Sequence, residues 1–453
     1  MERRHMVSSS SYVHWTFTLL VLSVGPASAQ NWPSFRGPNG SGVGVGSPPV
    51  NWNVETGENI KWKTPIPGLA HSSPIVWGDR VFVTTSVSGK PESTEVKTGW
   101  LNGTGDSATD SGPWTWKLFC LDKSSGKVLW EKDAHSGVPK IKRHMKATHA
   151  NSTPATDGKY VVAFFGSEGL FCYNVTGELL WQKDLGIFKT GPHNGKDLEW
   201  GYASSPIIHK DQVIVQCDAI NTSFWASFDL ATGNELRRVT RNENTTTWST
   251  PTVIDFNGKA QLVCNGWKQM AGYDLKTGEQ LWNLRDGGDC PVPTPQWAHG
   301  NIYLTNGHGK SPVFAIKPDA RGDITPEAED RTPKGMSWWQ SKGGSYMPTP
   351  IVIGDNLYIA TDNGVISVLD AKTGKQLRKE RLENAGTFSA SIVGVKEQLY
   401  FVNEDGDVFV LKSDKNVEQL ARNPMHEVCL ATPAISDGKL LIRTRDNVYC
   451  IGK

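Results

Sequence analysis

The sequence predicts an all-β protein: an eight-bladed β-propeller of four-stranded antiparallel blades, its ring closed by an N-terminal strand. Three observations predict it. A unit opening on Ser/Thr-Pro recurs about every 41 to 55 residues, with one longer interval of about 80. Each unit holds four short β-rich runs separated by turns. The last unit stops one strand short, and a matching strand lies near the N-terminus.

The unit starts are Ser73-Pro74, Thr153-Pro154, Ser205-Pro206, Thr250-Pro251, Thr294-Pro295, Thr349-Pro350 and Thr432-Pro433. An eighth, Ala390-Ser391, lacks the proline and keeps the phase. Proline suits an inner edge strand, where a missing N–H breaks no ladder. A turn and a β-branched run follow, as in Gly78-Asp79 before Val81-Phe82-Val83. The third strand ends in Asp or Asn and a glycine turn, as in Asp122 to Gly126, Asn174 to Gly177, Asp229 to Gly233, Asp274 to Gly278 and Asp370 to Gly374. The fourth strand carries Trp130, Trp181 or Trp282, with Arg237 and Arg378 in that place in two units. A blade cannot bury both faces alone, so blades stack in a ring, and a large outer-strand side chain covers the joint. The final unit, Leu430 to Lys453, lacks a fourth strand. Residues 58–66 supply it, with Trp62 in the joint position.

The first 29 residues read as a signal peptide: Arg3, Arg4 and His5, then an apolar run from Trp15 to Val24, then Ala27-Ser28-Ala29 as a cleavage site. The run is half the roughly twenty residues that span a bilayer. The first cysteine after that site is Cys120, so no lipid anchor is expected. The expected location is periplasmic or secreted, with residues 30–453 forming the propeller. The net charge of +1 gives no electrostatic footprint for nucleic acid. Cys120, Cys172 and Cys450 occupy one repeat position, and Cys217 and Cys264 another. Equivalent positions in neighbouring blades lie too far apart for disulfides, so buried thiols are expected.

The units Leu121-Asp122 to Trp130 and Tyr273-Asp274 to Trp282 resemble the tryptophan-docking repeat of quinoprotein dehydrogenases, shared with the outer-membrane barrel-assembly scaffold lipoprotein. Asn31-Trp32-Pro33-Ser34-Phe35-Arg36-Gly37-Pro38, Tyr202-Ala203-Ser204-Ser205-Pro206, Trp248-Ser249-Thr250-Pro251 and Phe388-Ser389-Ala390-Ser391 resemble a group of secreted bacterial pyrroloquinoline-quinone-binding-like propellers. The dehydrogenase resemblance implies a quinone in the channel with calcium or a lanthanide, a catalytic aspartate and two adjacent cysteines. This chain has no Cys-Cys pair and no Cys-x-x-Cys-His haem motif. Asp286 and Asp289 flank two glycines, which favours a turn over a calcium site. Glu404-Asp405-Gly406-Asp407 sits where a turn between second and third strands belongs.

Residues just before each first strand fall at one mouth of the channel. In register these are His71, His149, Tyr202, Trp248, Cys290, Tyr346, Phe388 and Cys429. Six of the eight are aromatic or histidine, in a chain that is 9% aromatic. They either plug a wide channel or form a stacking platform for a planar, sugar-like or peptide ligand. Insertions at 86–116, 135–148 and 187–201 emerge on the same side, and long loops in compact folds often carry function. Lys142, Arg143, His144 and Lys146 make a basic loop there, either solvated or anion-binding. The insertion at 319–335 should emerge on the opposite face as a surface loop. No nucleophile or metal motif stands out.

The first expectation is therefore an exported, non-catalytic propeller binding a small molecule, glycan, peptide or envelope protein at this mouth, without cofactor, metal or membrane anchor. The alternatives are a quinone-dependent dehydrogenase with a divergent metal site, and an envelope-assembly scaffold.

Overall fold

The computed structural model describes residues 1–2, 30–90, 95–101, 105–192, 195, 197–241, 246–285 and 287–453. The signal-peptide segment and Asp286 therefore lie outside the described residues. The strands sort into eight antiparallel sheets of four, one of them extended by a short fifth strand. Blade 1 comprises Ile75–Trp77, Arg80–Ser88, Trp114–Asp122 and Val128–Gly137. Blades 2 to 7 follow in chain order. Blade 8 is Ala434–Ser436, Lys439–Arg443 and Asn447–Ile451, completed by Ile60–Pro65. That N-terminal strand pairs antiparallel with the C-terminal one, Trp62 opposite Cys450. The ring thus closes as the repeat register predicts.

The Ser/Thr that opens each inner strand has a role beyond starting it. Its backbone N–H donates to the hydroxyl of the equivalent residue in the next blade: Ser73 to Thr153 (2.9 Å), Thr153 to Ser205 (2.9 Å), Ser205 to Thr250 (3.0 Å). The series resumes as Thr294 to Thr349 (3.0 Å), Thr349 to Ser391 (2.9 Å) and Ser391 to Thr432 (3.0 Å). At the two remaining junctions the would-be acceptors, the hydroxyls of Thr294 and Ser73, are buried without a partner. At five of the six donors, all but Ser391, a proline follows; it lacks an N–H and biases the residue before it to extended backbone, which aims that residue's N–H sideways at the neighbouring blade.

The outer joints are closed by the fourth-strand side chains. Indole Nε1 donates from Trp62 to the Lys123 carbonyl (2.9 Å), from Trp130 to Val175 (3.1 Å) and from Trp181 to Leu230 (3.0 Å). Each ring lies on the turn glycine of the next blade: a Cβ at Gly126 or Gly233 would sit 2.6 Å from the Trp62 or Trp181 ring. Arg237 does the same with its guanidinium, donating to Lys276 and Thr277 carbonyls at 2.7 Å each. Arg378 instead pairs with Glu380 at the surface. Trp282 is fully buried, but its N–H has no partner, because the insertion at 319–335 displaces the turn it would meet. The sequence assigns that insertion to a surface loop. Part of it, Gly322–Asp323, instead pairs in parallel with Trp282 and Asn283 as the fifth strand of blade 4. Beyond it, Trp338 restores the joint to blade 6, donating to Ala371 at 2.9 Å.

All seven cysteines are buried and free. Among the described residues no helix is long and apolar enough to cross a membrane.

Residues 31–44 run across the end of the channel opposite the long loops. Trp32 pairs with Val76 in both directions at 2.8 Å, and the Pro33 carbonyl accepts from Thr156 at 2.8 Å. Arg36 is fully buried. It donates to the carbonyls of Ile392 (2.7 Å), Pro350 (2.9 Å), Gly40 (3.3 Å) and Ser41 (3.3 Å). Burial lowers its pKa to about 9. Gly37 follows with φ +71, and a Cβ there would lie 2.6 Å from the Trp32 ring. The segment ties inner strands from several blades together and gives the channel a floor.

The closure carries an acid-sensitive staple. Glu427 accepts from Asn447 Nδ2 (2.8 Å), Tyr449 Oη (2.7 Å), Thr444 Oγ1 (2.5 Å) and Lys63 Nζ (3.1 Å), the last on the N-terminal strand. Burial opposes its ionisation, but these hydrogen bonds together outweigh it and hold the carboxyl at about 2, against an ordinary 4.5. A depressed carboxyl pKa contributes stability that is present above pH 4.5 and lost as pH falls toward 2.

Two predictions follow from these contacts. Thr153→Val keeps the shape but strands the Ser73 N–H, and should cost about 1 to 3 kcal/mol in urea unfolding. Thr294→Val removes a hydroxyl that has no partner, and should change stability by less than about 0.5 kcal/mol or raise it. Equal losses in the two variants would contradict the ring assignment. Separately, the thermal midpoint gap between the wild type and Glu427→Gln should be widest near neutral pH and shrink below pH 4.5. A gap independent of pH would show that the Glu427 charge does not hold the closure.

Candidate functional site at the loop-bearing mouth

Above the floor the channel widens into a cavity of about 380 Å³, within the usual range for ligand sites. Phe35 lies at its base, and the ring residues Ser205, Thr250, Thr349, Ser391 and Thr432 line its lower wall. Its upper wall is built by the insertions.

Four of the six aromatic or histidine residues that the register places at the mouth line this cavity: His71, Trp248, Tyr346 and Phe388. Trp248 Nε1 donates to the Gly201 carbonyl (2.9 Å), and its ring packs beside Trp200 at 5.7 Å. Phe388 is held from behind by a stack on Phe401 at 3.8 Å. His71 Nε2 faces the Lys146 carbonyl at 2.7 Å, so that nitrogen carries the proton. Burial holds its pKa at about 4, so the ring is neutral at physiological pH.

His149 and Tyr202 do not reach the cavity. His149 is turned into the wall, where it meets Asp110 (2.9 Å) edge-on to Trp114. Tyr202 is buried against Phe164 and Phe188, with its hydroxyl donating to the Gln216 carbonyl. Of the other two positions in register, Cys290 lines the cavity and Cys429 is buried, its thiol 3.1 Å from the Arg443 carbonyl.

The basic loop divides similarly. Arg143 is buried and forks onto Asp110 (2.6 and 2.8 Å). Its guanidinium is therefore committed to a buried ion pair. The Lys142 N–H donates to Glu199 at 2.9 Å. His144 and Lys146 line the cavity. Lys146 Nζ is paired with Glu404 at 2.8 Å.

Glu404 is a site residue that sequence reasoning took only as part of a turn. It is buried on the turn between Gln398–Val402 and Asp407–Lys412, and lines the cavity. Besides Lys146 it accepts from Ser389 Oγ (2.6 Å) and from the Gly99 N–H (2.8 Å). The last bond docks the first blade's insertion over the mouth, with Trp100 exposed at the rim. The same insertion is tied to the 135–148 loop by Lys97 N–H to the Met145 carbonyl (3.0 Å) and by the Ser107–His144 bridge.

Two further acids complete the lining. Desolvation raises the pKa of Asp362. Asp289 contacts His308 Nδ1 at 2.9 Å, with Cys290 beside it. Burial pushes the Cys290 thiol up to about 12. Lys146 is the one lysine or arginine among the described lining residues, set against Asp289, Asp362 and Glu404. The cavity is thus aromatic and acidic.

A family model described as outer membrane protein assembly factor BamB matches residues 117–380, more than half of the chain. Curated relatives with that name match shorter stretches. The one from Burkholderia pseudomallei (strain K96243) is 32% identical over 133 residues, 28% of this chain and 34% of the relative. The one from Alteromonas naphthalenivorans is 33% identical over 88 residues, 18% of this chain and 20% of the relative. The chain thus spans 34% and 20% of these relatives' length. Among solved structures, BamB from Moraxella catarrhalis superposes with a TM-score of 0.53 at 13% identity, covering 79% of this chain and 99% of that one. The quinohemoprotein alcohol dehydrogenase from Comamonas testosteroni gives 0.62 at 12%, covering 93% and 80%. At such identities these two likenesses bear on the fold alone. The repeat, the ring and the matched family model together place this chain in the BamB family of pyrroloquinoline-quinone-like propeller repeat proteins.

Proposed function

We propose that this protein is an exported, non-catalytic propeller of the cell envelope that binds a neutral or cationic ligand, planar or sugar-like, in the floored cavity at its loop-bearing mouth. The observation that carries this reading is the cavity itself. It is closed below by Phe35 and walled by Trp200, Trp248 and Tyr346, and its acids outnumber its one paired lysine. Aromatic faces bury ligand area with little loss of side-chain entropy. The acidic excess disfavours anions, so the anion-binding use of the basic loop is not part of the proposal.

The donor set argues against the quinone alternative. Such a cofactor presents several carboxylates, and the lining offers them one lysine, already held by Glu404. Cys290 is followed by Pro291, so it is not half of a vicinal cysteine pair. Both carboxyl oxygens of Glu404 are engaged by Lys146, Ser389 and Gly99.

A scaffold role in outer-membrane assembly is the second reading, favoured by family membership. In that case the same mouth receives an envelope protein, and an aromatic segment of it fills the cavity.

Thermal-shift screening against mono- and disaccharides, aromatic amines and short aromatic peptides tests the first reading. A hit should raise the midpoint in the wild type, and Trp248→Ala should weaken its binding by about tenfold to a hundredfold while retaining the β-sheet spectrum. If no compound of these classes shifts the midpoint, or Trp248→Ala leaves a hit's affinity unchanged, the cavity is not the binding site.

A further inference from the structure

Asp289, Cys290 and His308 present a carboxylate oxygen, a thiol sulfur and an imidazole nitrogen within 4.8 Å of one another. All three line the cavity. Asp289 and Cys290 lie on the approach to blade 5, and His308 lies on the turn between its second and third strands, Asn301–Thr305 and Val313–Ile316.

The backbone holds the two segments together. Cys290 and Gly307 form a β-bridge, and the Asp289 N–H donates to the His308 carbonyl at 3.3 Å. The approach is close enough to need glycine: a Cβ at Gly288 would lie 2.0 Å from the Gly307 carbonyl oxygen. His308 itself has φ +62, in the left-handed region that a few per cent of non-glycine residues adopt, Asn, Asp and His most often. The donors are thus carried by a sutured pair of loops and not by independently moving surface side chains. Tyr346 flanks the group, its ring 5.5 Å from that of His308.

We propose that Asp289, Cys290 and His308 bind one divalent transition ion of the zinc class, with an open coordination position facing the cavity. The chemistry of the donors selects the class. A thiolate with an imidazole suits zinc and its neighbours, whereas calcium and magnesium require sets made of oxygen. Three protein ligands with a fourth position open are the pattern of zinc sites that take an exogenous ligand. Tetrahedral zinc with bonds of about 2.0 to 2.3 Å needs donors about 3.3 to 3.8 Å apart. The Asp289–His308 pair, at 2.9 Å, must open slightly in exchanging its hydrogen bond for the metal, and no pair, all being within 4.8 Å, must close by more than about 1 to 1.5 Å. The ion would set a positive point in the acidic wall and give a ligand's oxygen or nitrogen a place to bind. The site stands on its own geometry and does not rest on the ligand reading above.

The test uses the full mature chain without a histidine tag, stripped with chelator and then titrated with Co²⁺ as a spectroscopic stand-in for Zn²⁺. One equivalent should bind, with visible bands of tetrahedral intensity and a near-ultraviolet thiolate-to-cobalt charge-transfer band. Zn²⁺ should abolish both by displacement and should raise the thermal midpoint. Cys290→Ser should lose the charge-transfer band with its circular dichroism unchanged. His308→Ala, a second and more exposed ligand change, should weaken Co²⁺ uptake by about a hundredfold. Absence of saturable uptake at micromolar Co²⁺, or bands that persist in Cys290→Ser, would overturn the assignment.

Discussion

Six of the eight inner junctions are joined by one kind of hydrogen bond, from the N–H of a strand-opening Ser or Thr to the hydroxyl of its counterpart in the next blade. Each such bond contributes about 1 kcal/mol net, yet leaving its buried donor unmade costs more. This constraint fixes the distance and rotation between successive inner strands. The outer joints, where an indole or guanidinium lies on a turn glycine, obey the spacing that the inner bonds set. The mouth is an extension of the same register, because the residues lining it immediately precede the bonded ones.

A ring alone would leave an open channel. The segment through Trp32 and Arg36 turns it into a cup, and it does so through backbone carbonyls, with Arg36 donating to strands of blades 6 and 7. With Phe35 of this segment at its base, the cavity lies on the loop-bearing side of the floor. Charge there is arranged asymmetrically. Arg143 is consumed by Asp110 and Lys146 by Glu404, whereas the lining also carries the carboxylates of Asp289 and Asp362. A basic loop in sequence thus builds an acidic cavity in space.

The blades and their closure were legible in the sequence because the repeat prints one residue per structural role: Ser/Thr-Pro, the turn glycine and the joint tryptophan. Trp338 was missed because the 319–335 insertion moves it out of phase. The site was legible only where it belongs to the repeat. His71 and Trp248 each stand two residues before their ring residue and point into the cavity, whereas His149 stands four before Thr153 and points away. Register gives position along the chain, and side-chain direction depends on the local backbone. Trp100 and Trp200 come from non-periodic insertions, and Glu404 from a turn whose composition explains it without function. No pattern in one sequence marks them. The pairing of Asp289 with His308 spans two strands and the turn between them, so it needed the fold.

The most direct test of this account is native-state hydrogen exchange at the amides of Ser73, Thr153, Ser205, Thr294, Thr349 and Ser391. If these bonds set the geometry of the ring, the six should be among the slowest to exchange and should share a single opening free energy, that of global unfolding. Exchange at rates typical of surface loops, or six unrelated opening energies, would show that the blades are held by packing alone and that the ring of hydrogen bonds is incidental.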